Sequence, residues 1–191
     1  MNKPILMNIP YWYFPNSFSS EQLIQLHDIF SQTSVDDVED RAAGGGGVTK
    51  TARVVMSVWN SFKVYLAPLE QAFLGVNQHN FGYNIWPQYD SNYVRLNEYS
   101  SQHKGEYGWH CDGSNSPNYD IKFTMLINAS LEPYQGGKFF IFGNGGEQEV
   151  KELEQPGNVV ILKSNIPHRV TPVTKGKRHS ITLFYSGPRF Q

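Results

Sequence analysis

From residue 92 onward the chain alternates apolar and polar positions with a period of two, the signature of half-buried β-strands. Between Asn92 and Tyr99, Val94, Leu96 and Glu98 stand on one side and Arg95, Asn97 and Tyr99 on the other, so one face carries polar groups able to line a cavity. Asp120 to Asn128 sets Ile121, Phe123, Met125 and Ile127 against Lys122, Thr124, Leu126 and Asn128. Further strands are read at Lys138 to Phe142, between glycine-rich turns, and at Val159 to Leu162, after the turn Pro156-Gly157-Asn158. Arg178 to Tyr185 places Arg178, Ser180, Thr182 and Phe184 on a single face.

The first ninety residues read differently. Met1 to Phe18 is aromatic and broken by prolines, as befits an extended segment lying across a core. A helix begins after Ser19, which forms a capping box with Gln22 and is followed by Leu23, Leu26, His27 and Phe30 at helical spacing; His27 is read as a helix-face residue rather than a ligand. Val35 to Thr51, with glycines at 44 to 47, is read as a mobile connecting loop, the alternative being a lid over a pocket. Arg53 to Trp59 is a strand, Pro68 opens a helix that buries Leu69, Ala72, Phe73 and Val76, and Phe81, Tyr83 and Ile85 alternate as a further strand ended by Trp86-Pro87. Seven or so short strands behind a helical N-terminal third predict a mainly β fold, a sandwich or open barrel with flanking helices, in one domain.

Composition narrows the function classes. Sixteen basic against seventeen acidic residues leave a net charge of -1, so no footprint for nucleic acid or an anionic membrane is expected. Cys111 is the single cysteine, which rules out an internal disulfide and fits a reducing compartment. The absence of a long apolar run makes the cytoplasm the expected location, a host cytoplasm if the gene is phage-borne.

The chemistry concentrates at Tyr107-Gly108-Trp109-His110-Cys111-Asp112. In an extended strand residues i and i+2 share a face, so His110 and Asp112 can reach one point, while Cys111 points away and is not expected to bind metal. His168, expected on the loop after Val159 to Leu162 and stiffened by Pro167, offers a third ligand, and Arg178 follows ten residues later. Two imidazoles and one carboxylate can hold one face of an octahedral ion and leave other positions open, as in non-haem Fe(II) oxygenases. Taken alone the spacing is a weak signal; a turn aspartate beside a partly buried histidine has the same form.

Four blocks strengthen it: Val94-Arg95-Leu96-Asn97-Glu98-Tyr99 leading to Trp109-His110-Cys111-Asp112, then Phe123-Thr124-Met125-Leu126-Ile127-Asn128, then Tyr134-Gln135-Gly136-Gly137-Lys138, and Pro167-His168-Arg169-Val170-Thr171-Pro172-Val173 with Gly176-Lys177-Arg178. Over about residues 90 to 187 the chain resembles the Fe(II)- and 2-oxoglutarate-dependent dioxygenases of the prolyl 4-hydroxylase type, in particular the small bacterial and phage PKHD-type hydroxylases.

That resemblance implies a double-stranded β-helix, a jelly roll of cupin-like form. It makes 1-191 a single oxygenase domain, with 1-90 as helical support and N-terminal strands and 91-187 as the catalytic part. It implies His110, Asp112 and His168 as iron ligands and Arg178 as the partner of the distal carboxylate of 2-oxoglutarate, with Ser180 as a second donor. Tyr99, and more weakly Asn97, Thr124 and Thr182, are expected in the co-substrate pocket. Lys122 falls where some relatives carry a cation near the substrate, and Tyr107 and Trp109 are expected at the mouth. The implied reaction consumes 2-oxoglutarate and O2 and hydroxylates an unactivated C-H bond, with ascorbate as an aid in keeping iron reduced. The expected substrate is a protein or peptide residue such as proline. A small molecule or nucleobase, or a non-catalytic binding module on the same scaffold, are the alternatives.

Overall fold

The computed structural model describes residues 9–40, 43–44, 48–113, 116–143 and 145–189. In chain order the elements are β1 (Tyr11–Phe14), α1 (Ser20–Thr33), β2 (Asp36–Asp40), β3 (Ala43–Gly44), β4 (Val48–Val58), α2 (Trp59–Val76) and β5 (Tyr93–Ser100). They continue as β6 (Glu106–His110), β7 (Tyr119–Asn128), β8 (Gln135–Gly136), β9 (Phe139–Gly143), β10 (Gly146–Glu149) and β11 (Val159–Lys163), closing with β12 (His168–Val170), β13 (Val173–Lys175) and β14 (Lys177–Pro188).

The larger sheet runs β1-β11-β7-β14-β5-β4, with β2 also on β4, and the smaller runs β6-β12-β9-β10. The two are joined through β4: Arg53 to Val58 pair with β5, while Lys50 and Thr51 pair with β6. One strand therefore passes from sheet to sheet and folds the antiparallel array into a jelly roll, the double-stranded β-helix that the family resemblance implies.

The period of two sorts side chains into two cores. Val94, Leu96, Phe123, Met125, Ile127, Ile181, Leu183 and Tyr185 face outward onto Leu23, Leu26 and Phe30 of α1 and Trp59, Phe62, Leu66 and Phe73 of α2. Leu126, Tyr99, Phe139, Ile141, Val160 and Val170 face inward between the sheets. Each of these large side chains, once fully buried, contributes about 1.5–3 kcal/mol, so the helical layer holds the outer face of the larger sheet rigid and leaves its inner face free for a site.

The N-terminal elements follow local rules where those suffice. The Ser19 hydroxyl accepts from the Gln22 amide and the Gln22 side chain accepts from the Ser19 amide, completing the capping box. The aromatic segment before it forms β1, antiparallel to β11, with Trp12 and Phe14 against the outer core. His27 donates through Nε2 to the Ala129 carbonyl at 2.8 Å and is not among the residues grouped as metal-binding candidates.

Four readings are corrected. Pro68 lies inside α2, not at its start, because Trp59, Phe62 and Leu66 extend the buried stripe of Leu69 and Phe73 by more than two turns. The proline is on the solvent side, as is Val64, so the carbonyl that loses its donor can be hydrated; Ala72 is exposed as well. Phe81 ends a single wide π-turn, and Tyr83 and Ile85 pack on the outer core without pairing as a strand. The stretch from Val35 to Thr51 is not a simple connection: β2 pairs with Ala52 to Met56, β3 with Val48 and Thr49, and Arg53 clamps Asp37 through its Nε at 2.9 Å. Glycines 45–47 lie outside the described residues. Finally, His168 stands on β12 rather than on a loop. No helix among the described residues is long and apolar enough to cross a membrane.

Candidate functional site

The inner face carries a cavity of about 210 Å³ whose lining includes His110, Asp112, His168, Thr124, Arg178, Ser180, Thr182, Asn97, Tyr99 and Arg95. The ligand atoms of His110, Asp112 and His168 lie within 4.8 Å of one another. His110 ends β6 and His168 opens β12, and the two residues face each other in register across that antiparallel pair. Asp112 lies just beyond β6, fixed by its amide, which donates to the Ser164 carbonyl at 2.9 Å.

An irregularity in the ladder aims these groups. Val170 opposes Tyr107 while His168 opposes His110, so β6 has one residue more than β12 over this interval, a β-bulge at Gly108-Trp109. The extra residue restores Tyr107 and His110 to the same side, where their rings stack with centroids 3.4 Å apart. Trp109 is turned to the other side, against Phe142 and Arg169.

Hydrogen bonds set the protonation of the triad. Nδ1 of His110 is 2.8 Å from the Gly108 carbonyl and Nδ1 of His168 is 2.8 Å from the Ile166 carbonyl. A ring that donates through Nδ1 keeps its lone pair on Nε2, and both Nε2 atoms face Asp112, at 3.7 Å and 3.3 Å. Burial, with His168 next to it, pushes His110 down to about 4, so the ring is a neutral donor at physiological pH. Burial alone would raise the Asp112 carboxyl. Its contacts with His168, the Thr124 hydroxyl donating at 2.5 Å, and His110 outweigh it and hold the carboxylate below its ordinary range. Two imidazoles and one carboxylate are a donor set for a divalent cation.

The other end of the cavity is cationic and unsatisfied. Arg178 is 2% exposed, its Nη1 buried without a hydrogen-bond partner among the described residues, and Ser180 two residues along β14 buries a hydroxyl that likewise has none there, on the same face. The guanidinium carbon lies 5.5 Å from the centre of the Tyr99 ring, which stands opposite it on β5. Asn97 donates to the Thr182 hydroxyl at 3.1 Å and the Ser180 carbonyl at 3.2 Å, tying β5 to β14 beneath the cavity. Buried donors of this kind are costly unless a ligand satisfies them, and a carboxylate fits a guanidinium and a hydroxyl side by side.

The nine residues expected as metal ligands or co-substrate contacts thus line one cavity. Lys122 does not: it is buried with its Nζ 3.6 Å from Asp120. Cys111 is exposed, its thiol directed to the Asn165 carbonyl at 3.4 Å. Lys50, Phe139, Val170 and Arg95 are lining residues that the sequence did not single out. Arg95 was legible in part, since it alternates with Asn97 and Tyr99; Lys50 carries no such signal.

A model of the 2OG-Fe(II) oxygenase superfamily matches residues 94–186. A PKHD-type hydroxylase of Xylella fastidiosa (strain M23) is 36% identical over 96 residues, which cover 44% of this chain and 40% of that protein. The chain therefore spans about two fifths of the length of the curated relative it matches. Among solved structures, a Pseudomonas putida prolyl-4-hydroxylase superposes with a TM-score of 0.70 at 16% identity, over 97% of this chain and 96% of that one. A prolyl hydroxylase from Trichoplax adhaerens, in complex with a hypoxia inducible factor peptide fragment, superposes with a TM-score of 0.64 at 17% identity, over 94% and 84%. At these identities the likeness is one of fold.

Proposed function

We propose, from the match of residues 94–186 to the 2OG-Fe(II) oxygenase superfamily, that the protein is an Fe(II)- and 2-oxoglutarate-dependent dioxygenase that hydroxylates an unactivated C-H bond of a peptidyl residue such as proline. The observation that carries this reading is the pairing, within one cavity, of a three-donor metal set with the buried, unpartnered Arg178 and Ser180. His110, Asp112 and His168 would hold the iron, and Arg178 and Ser180 the distal carboxylate of 2-oxoglutarate. With both bound, the cofactor pair and O2 supply the oxidant, releasing succinate and CO2.

The chain's own residues position and shield. The Gly108 and Ile166 carbonyls hold both imidazoles in the ligating tautomer, and Thr124 orients the carboxylate. Leu126, Phe139 and Val170 give the cavity an apolar wall that limits water and spares the protein from its own oxidant. Tyr99, Asn97 and Thr182 complete the floor around the co-substrate. A peptide target is supported by the fold shared with prolyl hydroxylases, one of them solved with a peptide fragment.

The test is anaerobic addition of Fe(II) with and without 2-oxoglutarate, observed by visible absorption, followed by admission of O2, a succinate assay and mass spectrometry of proline-containing peptides. The expected result is a weak charge-transfer band that requires both additions and is lost in Arg178→Ala and His168→Ala, with succinate formed on oxygenation and one oxygen atom added to a peptide. Folded, metal-loaded protein with neither band nor succinate would overturn the oxygenase reading in favour of a binding module. Succinate formation without oxidation of any peptide would refute the peptidyl target alone.

A further inference from the structure

Arg95 is a second guanidinium in the same cavity, and the co-substrate reading gives it no work. It projects from β5 beside Asn97 and Tyr99 into the lining, with its guanidinium carbon 4.9 Å from the centre of the Phe184 ring. Among the described residues that ring is its contact; it enters no hydrogen bond or ion pair there. Its one close anionic neighbour is Asp112, whose field reaches it. A divalent cation at the triad would more than cancel that charge, leaving a net single positive charge until the chelating carboxylate of the co-substrate neutralises it, so Asp112 would no longer serve as the anion facing Arg95. A partly buried guanidinium in that position calls for an anion from outside the chain.

The strand register says which molecule can bring it. Along β14, Arg178 stands opposite Tyr99, Ser180 opposite Asn97 and Thr182 opposite Arg95, while Phe184 stands opposite Thr124, the residue bonded to Asp112. Arg95 is thus four strand positions from the Arg178 level, roughly 13 Å of strand, and its guanidinium, reaching over the Phe184 ring, extends toward the level of Thr124 and Asp112. A five-carbon diacid anchored at Arg178 and chelating at the triad ends at the metal. Arg95 lies on the side from which a target carbon must approach.

We infer that Arg95 is a substrate-recognition residue and that the substrate carries a carboxylate close to the reacting carbon. The inference rests on the oxygenase reading and sharpens its substrate class. The carboxylate has two sources, an acidic residue flanking the target in a peptide or the α-carboxylate of a free amino acid, and both meet a guanidinium in the same fork geometry.

The experiment uses anaerobic protein loaded with Fe(II) and 2-oxoglutarate, with the charge-transfer band as proof of loading. Two matched probe pairs are titrated by calorimetry and by perturbation of the band: capped hexapeptides alternating proline with glutamate or with glutamine, and N-acetyl-L-proline or its amide. The acidic member of one pair should bind roughly ten- to a hundredfold more tightly than its neutral partner, which also identifies the source. That preference should vanish in Arg95→Gln, survive in part in Arg95→Lys, and leave 2-oxoglutarate affinity unchanged. Absence of any preference for either acid by wild-type protein that shows the band, including failure of all four probes to bind, overturns the inference. So does a preference that persists in Arg95→Gln, or an Arg95→Gln variant whose loss is in 2-oxoglutarate binding. If wild-type protein shows no band, the oxygenase premise has failed, and this inference with it.

Discussion

Replacing Arg178 by methionine should stabilise the ligand-free protein while abolishing its response to 2-oxoglutarate. The guanidinium is 2% exposed and its Nη1 has no partner, an arrangement that costs about 1–3 kcal/mol and more for a charged group. The Tyr99 face, 5.5 Å away, returns roughly 0.5–2 kcal/mol. The balance is an empty-site penalty of about 1 kcal/mol. Methionine keeps the stem that packs beside Gly137 and Val173 and removes the charge. Arg178→Met is therefore expected to raise the unfolding free energy of metal-free protein by about 1 kcal/mol, or about 2–4 °C in Tm for a chain of this size. Ligand should reverse the order. At a hundred times its Kd, 2-oxoglutarate stabilises the wild type by about 2.7 kcal/mol, and the variant should gain only what the metal supplies. Urea unfolding with Mn(II), with and without 2-oxoglutarate, reads both quantities. An Arg178→Met protein that is less stable than wild type by more than 1 kcal/mol without ligand, or that gains equally from 2-oxoglutarate, would refute the reasoning.

Other consequences are as direct. Thr124→Val removes the hydroxyl that donates to Asp112 and should lower Mn(II) affinity about ten- to a hundredfold in a calorimetric titration, while leaving the fold intact. Gly137 has φ +61°, and a Cβ there would sit 2.8 Å from Arg178 Cδ and 2.9 Å from Val173 Cγ2. Gly137→Ala should thus destabilise by about 1–3 kcal/mol and weaken 2-oxoglutarate binding by shifting Arg178, whereas an unchanged Kd would show that the guanidinium is not placed from beneath. The folded state holds His110 down to about 4, chiefly by burial, against an ordinary imidazole value near 6.5. Between those values the unfolded chain binds a proton that the folded chain refuses. Stability of the metal-free protein is then full above pH ~6.5 and falls by up to about 3 kcal/mol as the pH drops towards 4, with Asp112 adding to the loss below its own range. A pH series of unfolding midpoints should show this decline, and His110→Gln should flatten it.

The sequence by itself determined the strands, their inner faces and the chemistry on them. Alternation is a property of neighbouring residues, so Arg178, Ser180 and Thr182 had to share a face, as did Arg95, Asn97 and Tyr99, once those segments were extended. The capping box at Ser19 was legible for the same reason, since all of its partners lie within four residues. What lay beyond local pattern was decided by tertiary structure. Pro68 ends a helix in isolation, yet burial of Trp59, Phe62 and Leu66 carries α2 through it. The acidic segment from Asp36 to Asp40 shows no apolar alternation and is a strand only because β4 offers it a ladder. The bulge that stacks Tyr107 on His110 exists only in the register of β6 against β12, some sixty residues apart in the chain. That Arg95 and the Nη1 of Arg178 find no hydrogen-bond partner among the described residues likewise depends on what the closed barrel does not bring to them. Pattern fixes which way a side chain points along its own strand; which groups meet there, and which are left waiting for a ligand, is set by how distant strands close around the cavity.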